Sequence, residues 1–167
     1  MGTYQQNSQG NCTITLKGII DEDFVNYKVP SMTIMFPHCT FKCGIDVCQN
    51  KDLAQTADIS VEIDTLCERY INNPITSAVV CQGLEPLDSF DQLQNFVDTL
   101  RNKYKCNDDI VIYSGYNKDE IDNKLEILSM YPNIVVKYGR YIPAIKTRFD
   151  PILGITLASQ NQYAERL

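Results

Sequence analysis

The stretch MTIMFPHCTFKCGIDVCQN, residues 32–50, joins an apolar run to a group of three cysteines. The run Met32–Phe36 carries no charge, which predicts a strand buried on both faces. Cys39, Cys43 and Cys48 follow on the segment that leaves the carboxyl end of this strand. Ligands of parallel sheets bind beyond this end of the strands, so the thiols are expected at the site.

Three further apolar runs predict strands at Ala78–Cys81, Ile110–Tyr113 and Ile134–Lys137. Amphipathic stretches separate them, with helical spacing in three sets: Ile59, Ile63, Leu66 and Tyr70; Leu93, Val97, Leu100 and Tyr104; Ile121, Leu125 and Leu128. This alternation predicts a mostly parallel sheet with right-handed crossovers. The units are too few to close an eight-stranded barrel. The expected fold is therefore α/β, a partial (open) βα barrel of parallel strands in one domain over residues 1–167.

The remaining segments give weaker expectations. TITLKGII, residues 13–20, predicts an edge strand, and GITLA, residues 154–158, predicts a fifth strand. Residues 1–11 are expected to form a flexible N-terminus, and residues 146–167 a C-terminal strand and tail. Ser89 with Gln92 predicts a capping box that opens the second helix, and Pro132 is expected to stop the third.

Composition excludes several classes of protein. The net charge is −6 and no basic stripe is present, which argues against a nucleic-acid partner. No apolar run approaches the ~18 residues that a membrane span needs, and the N-terminus does not resemble a secretory signal. The expected location is the cytoplasm, which keeps thiols reduced. The four scattered cysteines are interpreted as small core residues: Cys12, Cys67, Cys81 and Cys106.

The residues alone leave several interpretations of the three clustered cysteines open. A structural zinc ion needs a fourth ligand, and the only histidine, His38, adjoins Cys39, where neighbouring side chains diverge. A disulfide would leave one thiol unpaired, and the cysteines could also be ordinary loop residues. A [4Fe–4S] cluster suits thiolates, and three of them leave one iron open for a substrate or cofactor.

The pattern resembles the radical S-adenosylmethionine superfamily and, within it, the activating proteins of anaerobic (class III) ribonucleotide reductase. Four segments past the strands carry this resemblance beyond the cysteines: CQGLEPL (81–87), YSGY (113–116), YGRY (138–141) and GITLASQNQ (154–162). They follow the family's order over roughly residues 10–163. Two departures stand out, because four residues separate Cys43 from Cys48 where the family usually has two, and Leu84 replaces a glycine.

The resemblance implies that Cys39, Cys43 and Cys48 hold a [4Fe–4S] cluster whose fourth iron binds S-adenosylmethionine. Reductive cleavage of this cofactor would give a 5′-deoxyadenosyl radical, which installs a glycyl radical on the reductase. The candidate cofactor contacts are backbone groups of Gln82, Gly83 and Leu84, the residue Glu85, the hydroxyl of Ser114, and the apolar surfaces of Phe41 and Val47. No acid–base catalytic residue is required.

The implied partners are the large subunit of anaerobic ribonucleotide reductase and an electron donor such as flavodoxin or ferredoxin, with no nucleic acid or membrane. The small size leaves a partial barrel open on one side, which favours a protein substrate by analogy. Two alternatives remain: a radical S-adenosylmethionine enzyme acting on another protein or peptide, and a non-enzymatic Cys3His zinc-binding interaction module.

Overall fold

The computed structural model describes residues 12–167, and its central feature is a mixed six-stranded sheet. In chain order the strands are β1 (Thr13–Leu16), β2 (Gly18–Asp23), β3 (Ser31–Phe36), β4 (Ile59–Glu62), β5 (Ala78–Gly83), β6 (Asp109–Tyr113), β7 (Ile134–Tyr138), β8 (Arg148–Asp150), β9 (Ile155–Leu157) and β10 (Tyr163–Arg166). The α-helices are α1 (Lys51–Ala54), α2 (Ile63–Ile71), α3 (Phe90–Asp98) and α4 (Asp122–Leu128). The order across the sheet is β10-β7-β6-β5-β3-β2.

The four predicted core strands are confirmed, and they form the parallel centre of the sheet. Strand β3 pairs with β5, β5 with β6 and β6 with β7, all in parallel. The edge strands β2 and β10 are antiparallel to their neighbours, which the sequence pattern did not indicate. The chain is thus mixed α/β with an open sheet, and its closure into a partial barrel stays a prediction.

Both faces of the sheet are covered by apolar side chains. On one face, alternate strand residues pack against helices α2, α3 and α4 in a large core that includes Leu66, Phe96 and Leu125. On the other face, Ala78, Val80, Val111 and Val135 meet a smaller core supplied by Tyr27, Leu153, Leu157 and Ala164. This explains the continuous apolar runs, because strands buried on both faces have no solvent side.

The C-terminal part contributes more than the expected strand and tail. Strands β8 and β9 form a separate antiparallel pair, so the strand predicted at GITLA exists but lies outside the main sheet. The buried Asp150 carboxylate accepts hydrogen bonds from the amides of Ile152 and Leu153, both at 3.0 Å, and of Ala164 at 2.9 Å. These bonds attach the β8–β9 pair to β10 and hold it over the second face.

The N-terminal expectations are met in part. TITLKGII divides into two strands: β2 forms an edge of the main sheet, whereas β1 pairs with β4 in a two-stranded sheet. The flexible N-terminus proposed for residues 1–11 lies outside the described residues. Ile59, grouped with the first helix by its spacing, belongs instead to β4, because pairing with β1 places it opposite Leu16.

The predicted capping box is wrong. Ser89 makes no capping hydrogen bond, and the side-chain oxygen of Gln92 instead accepts from the amide of Thr15 at 2.8 Å. A 3₁₀ turn at Pro86–Ser89 precedes α3, and the Glu85 side chain caps it by accepting from the amide of Leu87 at 3.2 Å. The start signal therefore lies one turn earlier, at Glu85 followed by proline.

Two further local features concern the segment after β3 and the scattered cysteines. The segment after β3 contains the short helix α1. Among the scattered cysteines, Cys67 and Cys81 are buried as expected and Cys106 is half-buried, but Cys12 is exposed. No helix within residues 12–167 has the length and apolar character that crossing a bilayer requires.

A glycine turn after β5 joins the cysteine segment to the sheet. Gly83 has φ +104, and a Cβ there would lie 2.8 Å from the Phe36 nitrogen. Beyond it, the amide of Leu84 donates to the Phe36 carbonyl at 3.2 Å and the amide of Glu85 donates to the His38 carbonyl at 2.8 Å. The backbone leading into Cys39 is thereby fixed against the end of β5.

We expect Gly83→Ala to lower the free energy of unfolding by about 1–3 kcal/mol, because the new Cβ would clash with backbone and strain φ. Urea unfolding measures this change. Gly115→Ala is the matched control, since a Cβ there meets its nearest atom at 3.7 Å, an ordinary contact. Equal stability of the two variants would contradict the assigned role of Gly83.

Candidate metal centre

A cavity of about 420 Å³ lies at the carboxyl ends of the parallel strands. It is lined by most of the residues that the sequence singled out: Cys39, Cys43, Cys48, Gln82, Gly83, Leu84, Glu85 and Ser114. Parallel strands end at a common edge, so segments distant in sequence meet there. The cavity thus brings together the three clustered cysteines and the two segments that follow β5 and β6.

The three thiols are neighbours along one wall of this cavity. Cys43 lies close enough to both Cys48 and Cys39 for their thiols to influence one another electrostatically. Phe41, with φ 52, turns the chain so that its amide donates to the Cys39 sulfur at 3.2 Å. Gly44, with φ 90, provides a second tight turn before Cys48, at the place where the sequence has its longer gap.

Burial keeps the first two thiols protonated at neutral pH. It raises the pKa of Cys39 to about 11, and the negative charges of Glu85 and Asp88 add to this effect. Burial also raises the pKa of Cys43, as does Cys48, whereas the charge of Arg140 opposes the shift. A metal centre bound here must displace these protons, so its affinity should increase with pH.

The three clustered cysteines border the same cavity, but they do not converge on one point. Within residues 12–167, no three His, Cys, Asp or Glu side chains converge as one metal ion requires. A four-iron cluster spreads its ligands over separate irons, so it needs thiols that border a common space. Cys39, Cys43 and Cys48 meet that requirement, while His38 is exposed and is not among the cavity-lining residues.

Glu85 is a buried carboxylate at the cavity wall. Its side chain accepts hydrogen bonds from the amides of Leu87 at 3.2 Å and Gly115 at 2.8 Å. Burial raises the pKa of Glu85 to about 7, although these hydrogen bonds, together with one from Ser114, favour the charged form. The carboxylate therefore changes charge near neutral pH.

Lys137, which the sequence analysis missed, is a buried cation in the same cavity. Its ammonium donates to the carbonyls of Gly139 at 3.0 Å and Ser114 at 3.4 Å. Burial lowers the pKa of Lys137 to about 8, and the charge of Glu85 opposes this shift. The sequence does offer a signal for this residue, because Lys137 is a charged residue within the apolar run IVVK. A lysine is rarely buried without a functional or structural reason.

The residues that line the cavity differ from the expected set in two ways. Asn50, Tyr116 and Arg140 line the cavity without having been assigned to it. Phe41 is not among its lining residues, and Val47 borders a second cavity that shares Lys42, Cys43, Arg140 and Tyr141 with the first. The apolar contacts proposed for these two residues therefore stay predictions.

In the cluster-free protein, we expect the alkylation rate of Cys39 to rise about tenfold per pH unit between about pH 7.5 and 9, without levelling off. Only the thiolate reacts, and burial raises the pKa of Cys39 to about 11. Mass spectrometry after timed exposure to iodoacetamide measures the rate at this residue. A plateau near the ordinary thiol pKa would show that Cys39 is not held in a buried environment.

Comparison with known proteins identifies the family of the chain. Residues 30–160 match the family model of the 4Fe-4S single cluster domain, which covers β3 to β9 and all three clustered cysteines. No curated protein matches the chain. Because the match extends over most of the sequence, the chain belongs to the 4Fe-4S single cluster domain family.

Proposed function

We propose that this iron–sulfur protein is a radical S-adenosylmethionine activating enzyme that installs a glycyl radical on anaerobic ribonucleoside-triphosphate reductase. The main support is one cavity that the three clustered cysteines share with Gln82–Glu85 and Ser114. A cluster that only transfers electrons needs no adjoining cavity lined by charged groups. The choice of reductase rests on the resemblance of the four strand-end segments.

The opposite charges of Glu85 and Lys137 support a ligand with an amino-acid end. Both side chains are buried, border the cavity and interact through their charges. The amino-acid end of S-adenosylmethionine carries an ammonium and a carboxylate, which pair with Glu85 and Lys137 respectively. A cavity with a single buried charge would suit such a ligand poorly, because one charge of the ligand would be desolvated without a partner of opposite sign.

In this proposal Cys39, Cys43 and Cys48 would hold the cluster, and the cluster would supply the electron for cleavage of the carbon–sulfur bond of S-adenosylmethionine. Glu85 accepts from the cofactor's amino group, and the Gly83 carbonyl has a lone pair left beyond its bond from Asn50. Lys137 donates to the carboxylate. Burial of these groups excludes water from the reacting end of the cavity.

The proposal includes a reducing, cytoplasmic location. All seven cysteines, which lie within residues 12–167, are free. Free thiols and an oxygen-sensitive cluster both need a reducing compartment.

We expect Cys39→Ala, Cys43→Ala and Cys48→Ala each to lower production of 5′-deoxyadenosine by at least about 100-fold, because each removes a cluster ligand. The assay is anaerobic incubation of the reconstituted protein with dithionite and S-adenosylmethionine. Cys12→Ala and Cys106→Ala are the controls and should stay within about threefold of the unaltered protein. Full activity in Cys48→Ala would assign the third ligand to another residue.

The partner is tested by adding the anaerobic reductase to the same reaction. A glycyl radical signal in electron paramagnetic resonance supports the reductase as substrate. Cleavage of the cofactor without that signal would favour an enzyme acting on a different protein or peptide. One zinc ion per chain in place of iron would favour the zinc module.

We expect binding of S-adenosylmethionine to be strongest between about pH 7 and 8. Below this window Glu85 gains a proton, since its pKa is raised to about 7, and above it Lys137 loses one, since its pKa is lowered to about 8. Equilibrium dialysis should give about tenfold weaker binding one pH unit beyond either limit.

Two variants assign the limits of this profile. In Glu85→Gln, binding of S-adenosylmethionine should no longer weaken below about pH 7, and in Lys137→Met it should no longer weaken above about pH 8. Lys118→Met is the control, because Lys118 is exposed and paired with Glu165, and both limits should remain in this variant. A profile that none of the variants alters would exclude these two groups as the cofactor's charge partners.

A further inference from the structure

A backbone bond from Glu85 holds the cysteine-bearing segment, residues 37–50, at His38, and beyond that residue the segment depends on side chains for its position. In the central part of the segment the backbone hydrogen bonds only close local turns. The Gly44 amide donates to the Phe41 carbonyl at 2.8 Å, and the Cys48 amide donates to the Ile45 carbonyl at 3.3 Å. Such turns shape the segment but do not attach it to the sheet. The spacing of the three thiols must therefore be set by contacts from elsewhere.

The first contact lies beside Cys39. One carboxylate oxygen of Asp88 accepts from the Thr40 amide at 3.0 Å, and the other accepts from the Tyr116 hydroxyl at 2.7 Å. Asp88 follows β5 and Tyr116 follows β6, so this carboxylate connects the cysteine segment to two strand ends. Hydrogen bonds to a charged acceptor are stronger than those between neutral groups.

The second contact lies beside Cys43. The Lys42 ammonium is 5.0 Å from the centre of the Tyr116 ring, and the Arg140 guanidinium is 5.8 Å from it. Both distances are within the range of cation–π attraction. Tyr116 thus contacts the segment through its hydroxyl, which donates to Asp88 and lies 3.4 Å from the Thr40 hydroxyl, and through its ring, which faces Lys42.

The third contact lies beside Cys48. The Asn50 side chain donates to the Gly83 carbonyl at 2.7 Å, next to the turn that follows β5. Each cysteine therefore has an anchoring contact one or two positions away: Thr40–Asp88, Lys42–Tyr116 and Asn50–Gly83. All three anchors lead to the strand ends that border the cavity.

We infer that Asp88, Tyr116 and Asn50 are positioning residues that fix the spacing of the three thiols before a cluster binds. This inference rests on the proposed ligation by Cys39, Cys43 and Cys48. Ordering a segment in advance lowers the conformational cost of binding, so a cluster on an anchored segment is released more slowly.

The test uses the cluster-free protein and measures alkylation of each cysteine at fixed pH by mass spectrometry. Asp88→Ala should speed alkylation of Cys39 about tenfold, and Asn50→Ala should do the same for Cys48. Asp88→Asn removes the same negative charge near Cys39 but can still accept from Thr40, so it should speed alkylation of Cys39 much less than Asp88→Ala does. Exposed Cys12 serves as the internal standard. Asp91→Ala and Asn102→Ala, at exposed positions outside the cavity lining, are the matched controls and should change neither rate.

Variants of Tyr116 separate its two contacts. Tyr116→Phe removes the hydroxyl contacts with Asp88 and Thr40 but keeps the ring, so it should speed alkylation of Cys39 and leave Cys43 unchanged. Tyr116→Ala removes both contacts and should speed both. A general loss of packing would instead raise every rate, including that of buried Cys67.

A second readout follows the loaded protein. Iron loss to a chelator under anaerobic conditions should be about tenfold faster in Asp88→Ala, with Asp88→Asn between it and the unaltered protein, since asparagine can still accept from Thr40. Unchanged alkylation in Asp88→Ala and Asn50→Ala would overturn the inference. Because that measurement needs neither cluster nor cofactor, failure to cleave S-adenosylmethionine would count only against the proposed function.

Discussion

The site depends on the close approach of two backbone segments at the end of β3 and β5. Gly83 is the residue that permits it, because its left-handed φ and missing side chain let Leu84 and Glu85 bond to Phe36 and His38. The same two bonds place the first cysteine beside the Glu85 carboxylate. The electrostatics of the cavity follow. Burial raises the pKa of Cys39 and the negative charge of Glu85 adds to it, while burial lowers the pKa of Lys137 and the same charge opposes that shift.

The parts of this arrangement that sequence could predict are those with a strong local pattern. Apolar runs identified the four central strands because strands buried on both faces exclude polar residues, as at Val79–Cys81. The three cysteines were placed at the site because a parallel sheet gathers its strand ends at one edge. Gln82–Glu85 and Ser114 were placed there only through family resemblance, since a turn such as QGLEP has no specific pattern of its own.

The parts that sequence missed depend on contacts between distant segments. Ser89 and Gln92 have capping-box spacing, but pairing of β1 near α3 takes the Gln92 side chain to Thr15. Lys137 ends an apolar run and looks like the boundary of a strand, yet the carbonyls of Ser114 and Gly139 let it remain buried. Tertiary hydrogen bonds outweigh local spacing at both positions, and no periodicity encodes them.

The central claim is that three protein thiolates leave one iron of a four-iron cluster free for a cofactor. Mössbauer spectroscopy of the reconstituted protein, with and without S-adenosylmethionine, tests it most directly. We expect about four irons per chain, one of which has a distinct signal that changes when the cofactor is added while the other signals stay the same. Irons that are all alike and do not respond to the cofactor would contradict it.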